Sequence, residues 1–179
     1  MKIYTKKGDG GQTGLIGGAR VSKGDALIAV LGDLDELNAC LGLCVVYGEG
    51  SKTHGLLNQL QKTVFSVGAE VAAPEDRRHE YLAKGLGELT LALEDWIDRH
   101  SAQMPDLTSF VLPGGTILSA HLHQARAVCR RAERSLVGIG GHRAELLVFI
   151  NRFSDWLFCA ARYANHESDV EDVLWHGQE

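Results

Sequence analysis

Apolar residues return at three- and four-residue intervals along five long stretches, roughly 25–48, 53–73, 78–103, 116–138 and 142–166, the spacing that lines one face of an α-helix. The stretches are punctuated as helices should be. Pro74, Pro105 and Pro113 all fall between them, and "GIGGH" (138–142) places glycine where a helix C-terminus favours it. Short connections between long amphipathic helices favour antiparallel neighbours, so the pattern predicts an all-α fold, a five-helix antiparallel bundle of the ferritin-like up-and-down type. Almost no strand is expected, and "KIYT" (2–5) reads equally as a brief edge strand or extended coil. One domain is expected over 1–179: a glycine-rich loop (1–24), the helical bundle (25–166) and an acidic, frayed tail (167–179) whose Val173, Leu174 and Trp175 can dock back onto the body.

Composition narrows the function. A net charge of -5 with acidic and basic residues evenly mixed argues against a general nucleic-acid binder. Cys40, Cys44, Cys129 and Cys159 lack CxxC spacing and lie in apolar helical stretches, which predicts reduced, buried thiols in a cytoplasmic protein. No apolar run reaches the roughly 18 residues of a membrane span, and the start lacks a signal-peptide core. Glycine is the outlier: seven of the 21 precede residue 25, most of them in "KKGDGGQTGLIGGAR". Glycines let successive N–H groups turn inward toward an anion, with Thr5, Thr13 and Lys23 adding hydroxyls and an ammonium. The segment is neither a GxxxxGK[ST] loop nor a GxGxxG turn in a βαβ unit, so by itself it reads as an anion-binding loop or a flexible one.

Placing polar residues at about 100° per residue around each helix adds candidates. Asp35 falls within about 40° of Ile28, Leu31, Ala39 and Gly42, on the side expected to be buried, while Asp33 points away. A buried carboxylate needs a cation from another helix, unless the helix turns to expose it. In "ARAVCRRAER" (125–134), Arg126, Arg130 and Glu133 form one stripe within about 60°, and Arg131 turns toward solvent. The stripe reads as ligand-facing, or as a solvated face with an Arg130–Glu133 pair. Asn151, Asp155 and Arg162 share a side of the last helix, suited to a polar ligand or to ordinary bonds between helices. No ExxH motif or Gly-x-Ser-x-Gly elbow occurs, so neither a di-iron site nor acyl transfer is expected, and no residue is assigned as a metal ligand.

Taken in order, "YTKKGDGGQTGL", "RVSKGD", "GDLDELNACLGL", "FVLPGGT", "ARAVCRRAER" and "INRFSDWLFCAARYAN" resemble the PduO-type ATP:cob(I)alamin adenosyltransferases, over residues 3 to about 165. The resemblance implies a homotrimer of five-helix subunits with each active site between neighbours. It implies transfer of the 5′-deoxyadenosyl group of ATP to the cobalt of cob(I)alamin, giving adenosylcobalamin and triphosphate, with Mg²⁺ bound. Thr5, Gly8, Asp9, Gly11, Thr13 and Lys23 occupy the positions that wrap ATP in relatives. Arg130 would contact the triphosphate, Arg126 and Glu133 would line the same pocket, and Asn151 would hold the nucleotide with Asp155 nearby. Asp35 would pair with Arg126 across a subunit boundary. Phe110 would press on the lower face of the corrin, favouring Co(II) without a lower axial ligand, the form more easily reduced. Lys6 stands where many relatives have Arg, and an ammonium cannot reproduce a guanidinium fork. A flavoprotein reductase and an adenosylcobalamin-dependent enzyme are the implied partners, with no nucleic acid and no membrane. The rival is a noncatalytic cobalamin carrier or nucleotide-sensing bundle that keeps the pocket but not turnover; a carrier would have less need of the ATP-facing set.

Overall fold

The computed structural model describes residues 2–177. Among them the chain forms five α-helices, α1 (Ala26–Tyr47), α2 (His54–Ala72), α3 (Leu86–Ser101), α4 (Ile117–Ile139) and α5 (Ala144–Glu167), and a 3₁₀ turn at Glu75–Glu80. Helix starts follow from their caps. The Asp25 carboxylate accepts from the Leu27 N–H at 2.8 Å, and the Thr116 hydroxyl accepts from the Ser119 N–H at 3.1 Å. The third helix begins later than periodicity predicts. Pro74 diverts the chain into the 3₁₀ turn, and α3 opens only after Gly85, whose φ of 73° a side chain would resist. Ala83, apolar and buried before that start, has its N–H and C=O taken by Glu70 and Arg143 instead of by a helical turn.

Successive helices alternate in direction. Gly48, at the end of α1, packs against Leu57 of early α2 and Leu118 of early α4, while Asp33 near the start of α1 accepts from Ser135 near the end of α4. Helices α4 and α5 are tied at opposite ends by Asn151 to Glu133 and by Asn165 to the Thr116 N–H. Helices α3 and α5 lie side by side and parallel, as Gly87–Glu145, Arg152–Glu94 and Ser101–Cys159 contacts show. The packing order is therefore α2, α1, α4, α5, α3. The all-α expectation is met.

The core lies where α5 meets its neighbours. Phe149, Phe153, Trp156 and Leu157 are fully buried with Leu37, Leu41, Leu122 and Leu136, each such side chain contributing about 1.5–3 kcal/mol. The four cysteines are free and buried, as expected, and burial followed by the charge of Cys40 pushes the Cys44 thiol up to about 12. Four short strands complete the described residues. Strands β1 (Gln12–Gly14) and β2 (Arg20–Ser22) pair as a hairpin in the N-terminal segment, and β3 (Phe110–Val111) pairs with β4 (Leu174–Trp175) in the tail. The tail thus docks through the residues expected, whereas residues 2–5 join no strand. Met1, Gln178 and Glu179 lie outside the described residues, and no helix among the rest is long and apolar enough to cross a membrane.

Candidate active site

Because α5 packs between α4 and α3, the three helices leave an open groove of about 290 Å³, lined by Ile97, Leu107, Arg126, Arg130, Asp155, Phe158 and Arg162 among others. Arg126 and Arg130 are one helical turn apart and reach it together, as the i, i+4 spacing predicts. Arg126 is half-buried over the Phe158 ring, 5.9 Å from its centroid, and its Nε has no partner. Burial, then repulsion from Arg130, hold the Arg126 pKa below its usual value. Among the described residues neither guanidinium has a carboxylate or hydrogen-bond partner. Their neighbours all do: Arg131 Nε meets Asp33 at 2.8 Å, Arg152 Nε meets Glu94 at 2.8 Å and Arg162 Nε meets Asp172 at 2.7 Å. Two adjacent, uncompensated cations on a partly apolar floor are costly alone and suited to a polyanion.

Glu133 lies one turn further along. It accepts from Asn151 Nδ2 at 2.9 Å, so the two predicted ligand residues hold each other, and it makes no ion pair with Arg130. Asp155 faces the groove while accepting from Arg152 at 2.6 Å. Arg162 also lines the groove, but it is 8% exposed and is held by Asp172 and the Pro105 carbonyl, to which it donates.

Asp35 departs from its expected burial: it is exposed. Helix α1 packs against both α2 and α4, so it buries Val30, Leu34, Leu37, Leu41 and Cys44, and the stripe containing Ile28 and Ala39 is rotated outward. The same rotation carries Asp33 inward to accept from Arg131 and Ser135, and Arg131 also pairs with Glu36. Arg131, expected in solvent, is a fastener between α1 and α4.

The glycine-rich segment lies over the same side as Asp35. Ile16 shares a shallow pocket with Leu31, Asp35, Val64 and Phe65, and Gly17 (φ 90°) abuts Pro74 at the end of α2. Turns order the segment internally: Gly11 N–H donates to the Gly8 carbonyl at 3.2 Å, Lys23 N–H to the Gly11 carbonyl at 2.9 Å, and Asp9 N–H to the Lys6 carbonyl at 3.5 Å. Thr5 accepts from the Lys7 N–H, Thr13 pairs with Val21 in the hairpin, and the Lys23 ammonium sits beside Gly8, where a Cβ would come within 3.3 Å. The ATP-wrapping candidates therefore form one compact unit, on a different face of the chain from the arginine groove. Phe110 is 78% exposed beside Trp175, in a groove that adjoins the arginine groove at Leu107.

The sequence matches the cobalamin adenosyltransferase family over residues 3–164. The chain belongs to that family. This cobalamin adenosyltransferase is 41% identical to the corrinoid adenosyltransferase of Mycobacterium bovis, over 97% of this chain and 92% of the relative. It is likewise 41% identical to a corrinoid adenosyltransferase of Homo sapiens, over 97% of this chain and 73% of the relative. A PduO-type ATP:corrinoid adenosyltransferase variant from Lactobacillus reuteri, complexed with cobalamin and ATP, superposes with a TM-score of 0.91 at 37% identity, covering 98% of this chain and 100% of that one. A second variant of that enzyme, complexed with ATP, gives a TM-score of 0.88 at 36% identity, covering 97% and 100%.

Two groups around the adenosyltransferase groove were not singled out from sequence. His123 is 3% exposed, with no partner for either ring nitrogen, and it faces Arg126, Asp172 and the Phe158 ring. Its i, i+3 relation to Arg126 was the available signal. The other is Asp172, which joins Arg162, singled out only as a polar-ligand candidate, to Asn165 and lies in the tail outside every motif.

Proposed function

We propose that this adenosyltransferase moves the 5′-deoxyadenosyl group of ATP to the cobalt of cob(I)alamin, forming adenosylcobalamin and releasing triphosphate. The observation that carries the proposal is the pair of partnerless guanidinium groups, Arg126 and Arg130, in the α3–α4–α5 groove. Carbon 5′ of ribose is a poor electrophile, so the reaction depends on stabilising charge that develops on the leaving triphosphate. Arg130, Lys23 and the N–H groups of the glycine-rich segment supply that stabilisation. Asn151 and Glu133 hold the nucleotide at the rim, with Asp155 beside it. Thr5, Gly8, Asp9, Gly11 and Thr13 fold over the phosphates. Co(I) of the substrate is itself the nucleophile, so the chain supplies alignment in place of a nucleophilic side chain. Phe110 covers the lower corrin face and excludes a lower axial ligand.

Among the described residues no cluster of three His, Cys, Asp or Glu is placed to hold a metal. Glu133 or Asp155 would each offer a lone carboxylate to an Mg²⁺ ion arriving with the triphosphate. The chemistry such an ion would supply is neutralisation of charge on the leaving group.

The working unit in this proposal is a homotrimer. Asp35 and the glycine-rich segment lie on the α1–α2 face, and the arginine groove on the α3–α4–α5 face. One ATP touches both only if one face meets the other on a neighbouring copy, a head-to-tail contact that closes as a ring of three. Asp35 then supplies the carboxylate that Arg126 lacks, and exposed Phe65 is covered. In the cytoplasm a flavoprotein reductase provides reduced cobalamin, and an adenosylcobalamin-dependent enzyme takes the product.

The test is anaerobic mixing of the protein with MgATP and chemically reduced cobalamin, following the visible spectrum for the Co–C product and assaying triphosphate. Both products should appear in equal amounts. Binding of both substrates with neither product would make the chain a carrier and end the proposal.

A further inference from the structure

The segment bearing Phe110 does little to place itself. Phe110 is 78% exposed, Leu107 and Leu112 are also exposed, and β3 is only two residues long. Its position is set at its two ends by α5. At the front, Arg162 Nη2 donates to the Pro105 carbonyl at 2.8 Å. At the back, the Asn165 side chain accepts from the Thr116 N–H at 2.9 Å and donates to the Gly114 carbonyl at 3.2 Å. Gly115, with φ of 95°, lets the backbone pass directly over the Asn165 amide, which any Cβ there would overlap. Arg162 and Asn165 are 8% and 2% exposed, so they need partners of their own.

One carboxylate serves both. Asp172 Oδ2 accepts from Arg162 Nε at 2.7 Å, and its Oδ1 accepts from Asn165 Nδ2 at 3.1 Å. Beyond Asp172 the tail continues along the same segment: Leu112 N–H donates to the Val173 carbonyl at 2.8 Å, β4 pairs with β3, and the Ser109 hydroxyl donates to the Trp175 carbonyl.

We infer that Asp172 is a positioning residue for cobalamin handling: by orienting Arg162 and Asn165 together, it fixes both ends of the segment that presents Phe110. The inference rests on the proposed role of Phe110 against the corrin. A tail carboxylate that orients two side chains on α5 is a shared node, so its removal releases both ends of the segment at once. Asp172 and Asn165 lie outside the arginine groove, which Arg162 lines, and the Phe110 groove meets it only at Leu107. Loss of Asp172 should therefore fall on corrin binding far more than on ATP binding.

The experiment compares full-length wild type, Asp172→Ala, Phe110→Ala and the double variant, with MgATP present. It reads the four-coordinate Co(II) signal by electron paramagnetic resonance and the KM for each substrate. Asp172→Ala should lower the signal and raise the KM for cobalamin about tenfold, with the KM for ATP within about twofold of wild type. In the Phe110→Ala background it should lower the signal no further, because the two residues act as one unit. Asp172→Asn keeps an acceptor for one clamp but sets an amide N–H against the other donor, so an intermediate signal is expected; it carries the test if the alanine variant does not fold. A normal signal in Asp172→Asn, or equal losses for ATP and cobalamin tracking a fall in Tm, would overturn the inference. A normal signal in Phe110→Ala would instead overturn the role of Phe110.

Discussion

Arg126 and Arg130 show what a charge does when the fold gives it no partner. Arg131, adjacent in sequence, is anchored to Asp33 and Glu36, whereas Arg130 is exposed and contributes nothing of that kind to the fold. Arg130→Ala should lower kcat/KM for ATP by about 10²–10³-fold, roughly 3 to 4 kcal/mol of transition-state stabilisation. Its Tm should stay near wild type, so steady-state kinetics beside a thermal melt checks both parts. His123 makes the opposite prediction, a stability effect. Burial, then Arg126, hold its pKa below the ordinary 6.5, with Asp172 pulling the other way. The folded form thus resists a proton that the unfolded chain accepts. Stability is full above pH about 6.5 and declines as pH falls through the folded value. Urea midpoints between pH 7 and 5 should slope downward, and His123→Gln should flatten the slope, leaving a remnant from His142, which burial also depresses. At this scale the i, i+4 arginines were legible because helical spacing alone juxtaposes them. Asp33 and Asp35 were read the wrong way round because rotation about a helix axis is set by its neighbours.

Elements meet through a few buried polar joints. Glu70, 1% exposed in the last turn of α2, accepts from Arg143 Nε at 2.9 Å and from the Ala83 N–H at 2.8 Å, while Arg143 also binds the Ala83 carbonyl and Glu145. The joint ties together the end of α2, the approach to α3 and the start of α5. Arg143→Ala strands a buried carboxylate and should cost about 3–5 kcal/mol, read by denaturant unfolding. Gly115→Ala forces both a rare φ and an overlap with Asn165, which should cost about 1–3 kcal/mol and loosen the Phe110 segment. Four of the five helices were bounded closely from periodicity and punctuation. The start of α3 was not, since the stretch before Gly85 has apolar spacing, yet Ala83 within it satisfies its backbone through the side chains of Glu70 and Arg143, over 10 residues away in sequence.

For the whole molecule, the prediction is assembly. Asp35 is exposed beside exposed Phe65 and the glycine-rich segment, while Arg126 is partnerless on another face. Asp35→Asn should weaken the subunit contact or raise the KM for cobalamin. Sedimentation velocity together with cobalamin kinetics checks this, and native trimers with unaltered kinetics would reject the Asp35–Arg126 contact. From sequence alone came the all-α fold, the limits of most helices, the docking of the tail and the family, because periodicity, caps and ordered motifs act over a few residues of chain. Only the tertiary structure decided which arginines are spent on carboxylates and which stay open, which face Asp35 occupies and what holds Phe110 out. Those outcomes depend on atoms brought within about 3 Å from positions as far apart as Asp33 and Arg131, by the packing of α1 between two helices at once.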